Sequence, residues 1–149
     1  MKYFTIKELS ESSTAKSLGI DNTPTPEAEA NLTALVEAVL DPLRERYGHP
    51  IYVNSGYRCP RLNKAVGGAK TSQHMTGEAA DIYVADAKGR AELFSILYSL
   101  LPYDQLIWER GDDEAPAWIH VSYRESNNRR ECKRTDDGVH YYQHTPKKR

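Results

Sequence analysis

No stretch of the chain approaches the ~20 consecutive apolar residues of a membrane span. The opening MKYFTIKELSES also lacks the apolar core of a secretory leader. The expectation is therefore a protein made in the cytoplasm, without a signal peptide. Cysteine is scarce: Cys59 and Cys132 show no CxxC spacing, which leaves free thiols or one bridge open. A chain of 149 residues is long enough to form a core without disulfide staples. Net charge is nearly absent too, at −1, so no global field marks a nucleic-acid binder. Internal repeats and low-complexity segments are missing, and one domain over residues 1–149 is expected.

What is present is uneven. Ten tyrosines stand against two Phe and two Trp, the composition of amphipathic surfaces such as a polar groove, or of tyrosines at the edge of the core. From Arg124 onward eight Lys/Arg face four Asp/Glu, a balance of +4. This reads as a basic C-terminal hairpin and tail in solvent; attraction to nucleic acid or anionic wall polymers has only that balance behind it.

Local signals outline the elements. Thr5-Ile6-Lys7-Glu8 is a capping box, so a short helix should start near Ile6. Thr25 as cap, Pro26 at the first helical position and Glu27 and Glu29 in the first turn begin a longer one. Leu32, Leu35, Val36, Val39, Leu40, Leu43 and Tyr47 give that helix its apolar face, and Pro42 should kink it. Strands are expected at 51–55, from Asp81 to Val84, at Gln105–Glu109 and at Trp118–Tyr123. A helix capped by Asp86 should run to about Leu101, and SGYRCPRLNKAVGGAKTSQ reads as a long ordered loop. Asp137-Gly138 signals a turn in a final hairpin. The expected class is α+β, an antiparallel sheet with helices packed on one face.

Thr71 to Ile82 reads TSQHMTGEAADI, with His74 and Asp81 separated by glycine and small residues. A carboxylate buried beside an imidazole is costly unless a charge compensates it, and a metal ion is the economical compensation. Catalytic zinc usually takes three protein ligands and keeps one position open. His49 lies in a Gly-His-Pro turn, and His140 and His144 lie in the polar tail. His120, in Trp118-Ile119-His120-Val121-Ser122, sits mid-strand and completes the set. Alone it would read as a core histidine bonded to a neighbour.

Ser72 to Asp81 forms the pattern SxHxxGxAxD, Ser55-Gly56-Tyr57-Arg58 precedes it, and Trp118-Ile119-His120 follows. On these elements the chain resembles the zinc D-alanyl-D-alanine carboxypeptidase-like peptidases from about Phe4 to Tyr142. That group includes phage L-alanyl-D-glutamate endolysins, the vancomycin-resistance D-Ala-D-Ala dipeptidase and the hedgehog signalling domain; small phage or prophage-type members are the most similar. The resemblance implies a zinc site in a groove, hydrolysis of amide bonds in peptidoglycan stem peptides, and Arg58 gripping a substrate carboxylate or carbonyl. Two neutral imidazoles and one carboxylate would leave Zn2+ with a net +1, which lowers the pKa of a coordinated water toward ~7. A bidentate guanidinium suits Arg58's role, the alternative being a surface salt bridge. Ser72 is a candidate for substrate binding or for orienting the metal loop, or else a simple turn serine; Glu78 should point to solvent.

One position departs from the family pattern. The acid/base carboxylate commonly stands three residues before the last histidine ligand, and here that residue is Ala117. Glu109, closing its strand, is the best substitute, ahead of Asp112, Asp113 and Glu114 on the acidic loop. Glu109 and His120 share a face only if paired residue numbers sum to an odd value, as when Glu109 lies opposite Trp118. Without such a carboxylate the chain would be a non-catalytic zinc-stabilised cell-wall-binding or phage structural module. A monomer is expected, reaching the wall after release by a holin-type partner or lysis.

Overall fold

Thr5 caps α1 (Ile6–Ser10) by accepting from the Glu8 amide, and Ser12 caps α2 (Ser13–Leu18) in the same way. Thr25 then starts α3 (Pro26–Leu35) with Pro26 in its first turn. Next to Pro42, where a kink was expected, α3 passes through a π-helical turn (Val36–Leu40) into α4 (Asp41–Tyr47). Pro42 has no N–H to donate to the preceding turn, and the wider π turn accommodates the loss. Gly48, at φ +83, ends the helix in the left-handed conformation that glycine favours.

The remaining elements are β1 (Tyr52–Ser55), α5 (Pro60–Ala65), a 3-10 turn (Gln73–Thr76), β2 (Ala79–Tyr83), α6 (Ala87–Leu100), β3 (Gln105–Glu109), β4 (Trp118–Ser122), β5 (Glu131–Thr135) and β6 (Tyr142–Gln143). The computed structural model describes residues 1–147. Lys148 and Arg149, the end of the basic tail, lie outside the described residues. The segment expected to be one long loop contains α5, capped by Cys59 with Pro60 at its start. Both cysteines are free thiols, and burial pushes that of Cys132 up to about 12. Among the described residues, no helix is long and apolar enough to cross a membrane.

The fold is α+β, with six strands in the order β1-β2-β4-β3-β5-β6. All neighbouring pairs are antiparallel except β3 with β5, so the expected antiparallel sheet is a mixed one. The parallel pair follows from the connection after β4. Asp104, just before β3, donates its N–H to Ser122 O at the end of β4 and accepts from Glu131 N at the start of β5. The chain thus passes under the beginning of β3 and enters β5 in the same direction. The final hairpin forms, but residues 136–141 connect β5 to β6 instead of a tight two-residue turn.

Alternation divides the sheet. Ala80, Ile82, Leu106, Trp108, Ile119 and Val121 join Leu32, Leu35, Val39, Leu43, Phe94 and Leu97 of the helices in one core. The intervening strand residues Asp81, Ile107, Glu109 and His120 face away from that core and line an open groove.

Candidate metal centre

The metal loop is held in place by short-range chemistry. Ser72 Oγ accepts from His74 N (3.2 Å) and so caps the 3-10 turn that carries the histidine. Gly77 reverses the chain at φ +76, where any side chain would collide with the Ala28 carbonyl of α3. The chain can then enter β2, which delivers Asp81 directly opposite His120 of β4.

His74 is 2 % exposed, and its Nδ1 lies 2.7 Å from Gly56 O. That carbonyl can only accept, so Nδ1 carries the proton and Nε2 presents a lone pair. The lone pair faces Asp81 Oδ1 at 3.3 Å, and His120 Nδ1 lies 3.0 Å from the same oxygen. A lone pair set against a carboxylate oxygen repels it unless a cation lies between them. A tetrahedral ion with bonds of ~2.0–2.2 Å places its ligand atoms roughly 3.3–3.6 Å apart, close to this spacing. One ligand atom from each of His74, Asp81 and His120 falls within 4.8 Å of the others. The three residues fit a divalent ion that accepts nitrogen and oxygen ligands. Burial pushes the Asp81 carboxyl up, but positive charge at the two imidazoles, which a proton between nitrogen and oxygen supplies where a metal ion does not, outweighs burial and holds the group well below the ordinary range.

Residues 2–122 match the family model described as Peptidase M15. The chain belongs to the peptidase M15 family. This M15 chain has no match among curated proteins. The matched residues contain the His-Asp-His group, the donor set of a metallopeptidase in this D-Ala-D-Ala carboxypeptidase-like family. They end at Ser122, so β5, β6 and the loop between them lie beyond the match.

Around the metal centre the M15 chain forms a groove of about 790 Å³. The β3–β4 register pairs Ile107 with His120 and Glu109 with Trp118, the odd-sum arrangement. Glu109 therefore shares the face of His120, one row further along, and its carboxyl group is largely buried. Burial first, and the negative charge of Asp81 second, raise the Glu109 pKa to about 7. Ala117 is the backbone neighbour of Glu109, donating its N–H to Glu109 O at 2.9 Å. Position 117 itself carries no carboxylate, and Glu109 is the carboxylate on the adjoining strand.

Arg58 also lines the groove, its backbone N–H bonded to His74 O at 3.0 Å. Its Nε is buried without a partner, and burial lowers the guanidinium's pKa. The acidic loop turns away: Asp112 caps its own turn through Glu114 N and Ala115 N, Asp113 pairs with Arg134, and Glu114 pairs with Lys147. Glu78, expected in solvent, is half-buried and accepts from the Thr76 hydroxyl at 2.6 Å, because the turn ending at Gly77 folds it back.

Further polar and aromatic residues complete the surroundings. Gln73 Nε2 donates to Asp104 Oδ2 (2.9 Å), and Arg129 grips the same carboxylate from the other side. Arg110, Trp118, Lys133 and Tyr141 also line the groove. Only Gly111 hinted at a turn after β3; nothing in the sequence says that Arg110 faces the metal centre.

Proposed function

We propose that this chain is a zinc metallopeptidase that hydrolyses amide bonds of peptidoglycan stem peptides, as a D,D-carboxypeptidase or an L-Ala-D-Glu-type endopeptidase. His74, Asp81 and His120 would hold the Zn2+. Once bound, the ion supplies a Lewis acid that polarises the scissile carbonyl and makes water a better acid.

The observation that carries the reading is Glu109: a largely buried carboxylate on the face of His120, one row from it, with burial raising its pKa toward neutrality. A base near neutrality can both take a proton and give it back at working pH. Glu109 would take the proton of the attacking water and deliver it to the leaving amine. Arg58 would hold a substrate carboxylate or carbonyl through its unpartnered guanidinium, and Ser72 would keep the His74 turn rigid beside the substrate. In this reading the protein acts as a monomer on the wall after release from the cytoplasm, with help from a holin-type partner. Ala117 favours a second reading, a zinc-stabilised wall-binding module without catalysis.

Digestion of purified peptidoglycan, with mass spectrometry of the released peptides, separates the two. The zinc-loaded protein should release peptides cut at one type of bond. Glu109→Gln should retain zinc and lose nearly all release. Release by the Gln variant at the native rate would remove Glu109 from the mechanism. No release by the zinc-loaded native protein would leave the binding module.

A further inference from the structure

Arg110 stands in a backbone conformation that costs an ordinary residue free energy. Its φ is +56, in the left-handed region that residues other than glycine seldom adopt. Its N–H donates to Thr135 O at 2.7 Å, so the β3–β5 ladder holds it there. The side chain is directed back over the sheet, with the guanidinium 5.8 Å from the centre of the Trp118 ring and on the wall of the metal groove. Asp112, Asp113, Asp136 and Asp137 are close in sequence or space, yet no ion pair or side-chain hydrogen bond engages Arg110 among the described residues. Aspartates 113 and 136 pair with Arg134, and Asp137 pairs with His140.

The loop between β5 and β6 closes this corner. Gly138 lies against the Arg110 guanidinium so tightly that a Cβ there would stand 2.5 Å from Nη2. Tyr141 also lines the groove, and among the described residues its hydroxyl donates a single hydrogen bond, a long one of 3.5 Å to Gly138 O. A planar cation backed by an aromatic ring, near a hydroxyl that only a long bond engages, matches what a carboxylate needs. Arg58 reaches the groove from the β1–α5 side, and Arg110 reaches it from the β3–β4 turn. The metal ligands on β2 and β4 lie between these two starting points.

We propose that Arg110, with Trp118 and Tyr141, forms a second anion subsite, so that the groove selects peptides bearing two free carboxylates, one for each guanidinium. The proposal rests on the stem-peptide reading and narrows it, since stem peptides carry several free carboxylates. Trp118 would steady the guanidinium and Tyr141 would add a donor, and Tyr141 comes from the part of the chain beyond the family match.

The test is equilibrium binding of the pentapeptide L-Ala-γ-D-Glu-L-Lys-D-Ala-D-Ala, measured by calorimetry on metal-free protein. Two further peptides replace either the D-Glu α-carboxylate or the C-terminal carboxylate with the amide. Native protein should bind the free acid about 10- to 100-fold more tightly than either amide. Arg110→Gln should erase one of those differences, and Arg58→Lys should leave that difference in place. Tyr141→Phe should weaken the same peptide a few-fold. Equal affinity for the acid and either amide, or survival of both differences in Arg110→Gln, would overturn the subsite. Hydrolysis by the zinc-loaded protein is followed in parallel. Carboxylate discrimination without hydrolysis would discard the peptidase reading and keep the subsite, hydrolysis without discrimination would do the reverse, and neither would discard both.

Discussion

Replacing Asp104 with asparagine removes one charge from a buried crossing point and leaves the shape unchanged. The Asp104 side chain is fully buried and accepts from Arg129 N (2.8 Å), Nε (3.1 Å) and Nη2 (2.7 Å), and from Gln73 Nε2 (2.9 Å). Burial raises its pKa, but the hydrogen bonds from Arg129 and Gln73 overcome this and bring it from 3.8 down to about 2. That fall corresponds to roughly 2.5 kcal/mol of stability at neutral pH. Breaking a fully buried pair typically costs ~3–5 kcal/mol, but Arg129 is 44 % exposed and can turn to water, which argues for the lower end. The two routes agree on about 2.5–3 kcal/mol, or a drop of roughly 6–12 °C in Tm for a chain of this size. The sign of the pH dependence follows from the lowered pKa. The stabilisation is complete above the ordinary aspartate range and disappears as pH falls through about 2. The Tm gap between native protein and Asp104→Asn should therefore shrink by about half between pH 7 and pH 3. Circular dichroism melts of both proteins at the two pH values measure it. A gap below ~2 °C at pH 7, or one of equal size at pH 3, would mean that packing and not charge holds the crossing.

Two further outcomes concern the site. Purified protein should carry about one zinc per chain by elemental analysis, and His74→Ala and His120→Ala should each lose most of it along with part of the stability the ion confers; full occupancy in both would remove these residues as ligands. Arg58→Lys should keep the metal and the melting temperature but lower kcat/KM on stem peptides by about 10-fold or more, since a point charge replaces a planar fork; a native rate would show that Arg58 does not hold the substrate.

Several features were legible because they depend on near neighbours in the chain. Thr5, Thr25 and Pro26 mark helix starts through hydrogen bonds and a fixed φ within one turn. The β3–β4 register was accessible because a short loop joins the strands and period-two alternation leaves only two choices of face. α5 was missed because its six residues are too few to show a helical period, although Cys59-Pro60 stood at its start. The parallel entry of β5 was missed because it depends on Asp104 holding both Ser122 and Glu131, contacts distant in sequence.

The sequence by itself determined the donor set: two imidazoles and a carboxylate, with Gly77 letting the chain reverse between His74 and Asp81. It also determined the alternation that places Glu109 or its neighbour beside them. Tertiary structure alone decided which groups surround that set. The buried carbonyl of Gly56 chooses the His74 tautomer, and Asp81 raises the Glu109 pKa through space. A ladder bond to Thr135 keeps Arg110 in a strained conformation facing the groove. Each of these is an interaction across many residues in a low-dielectric interior, where its strength depends on distance and burial. Spacing along a chain encodes which ligands are available; only the packed fold sets their charges, tautomers and neighbours.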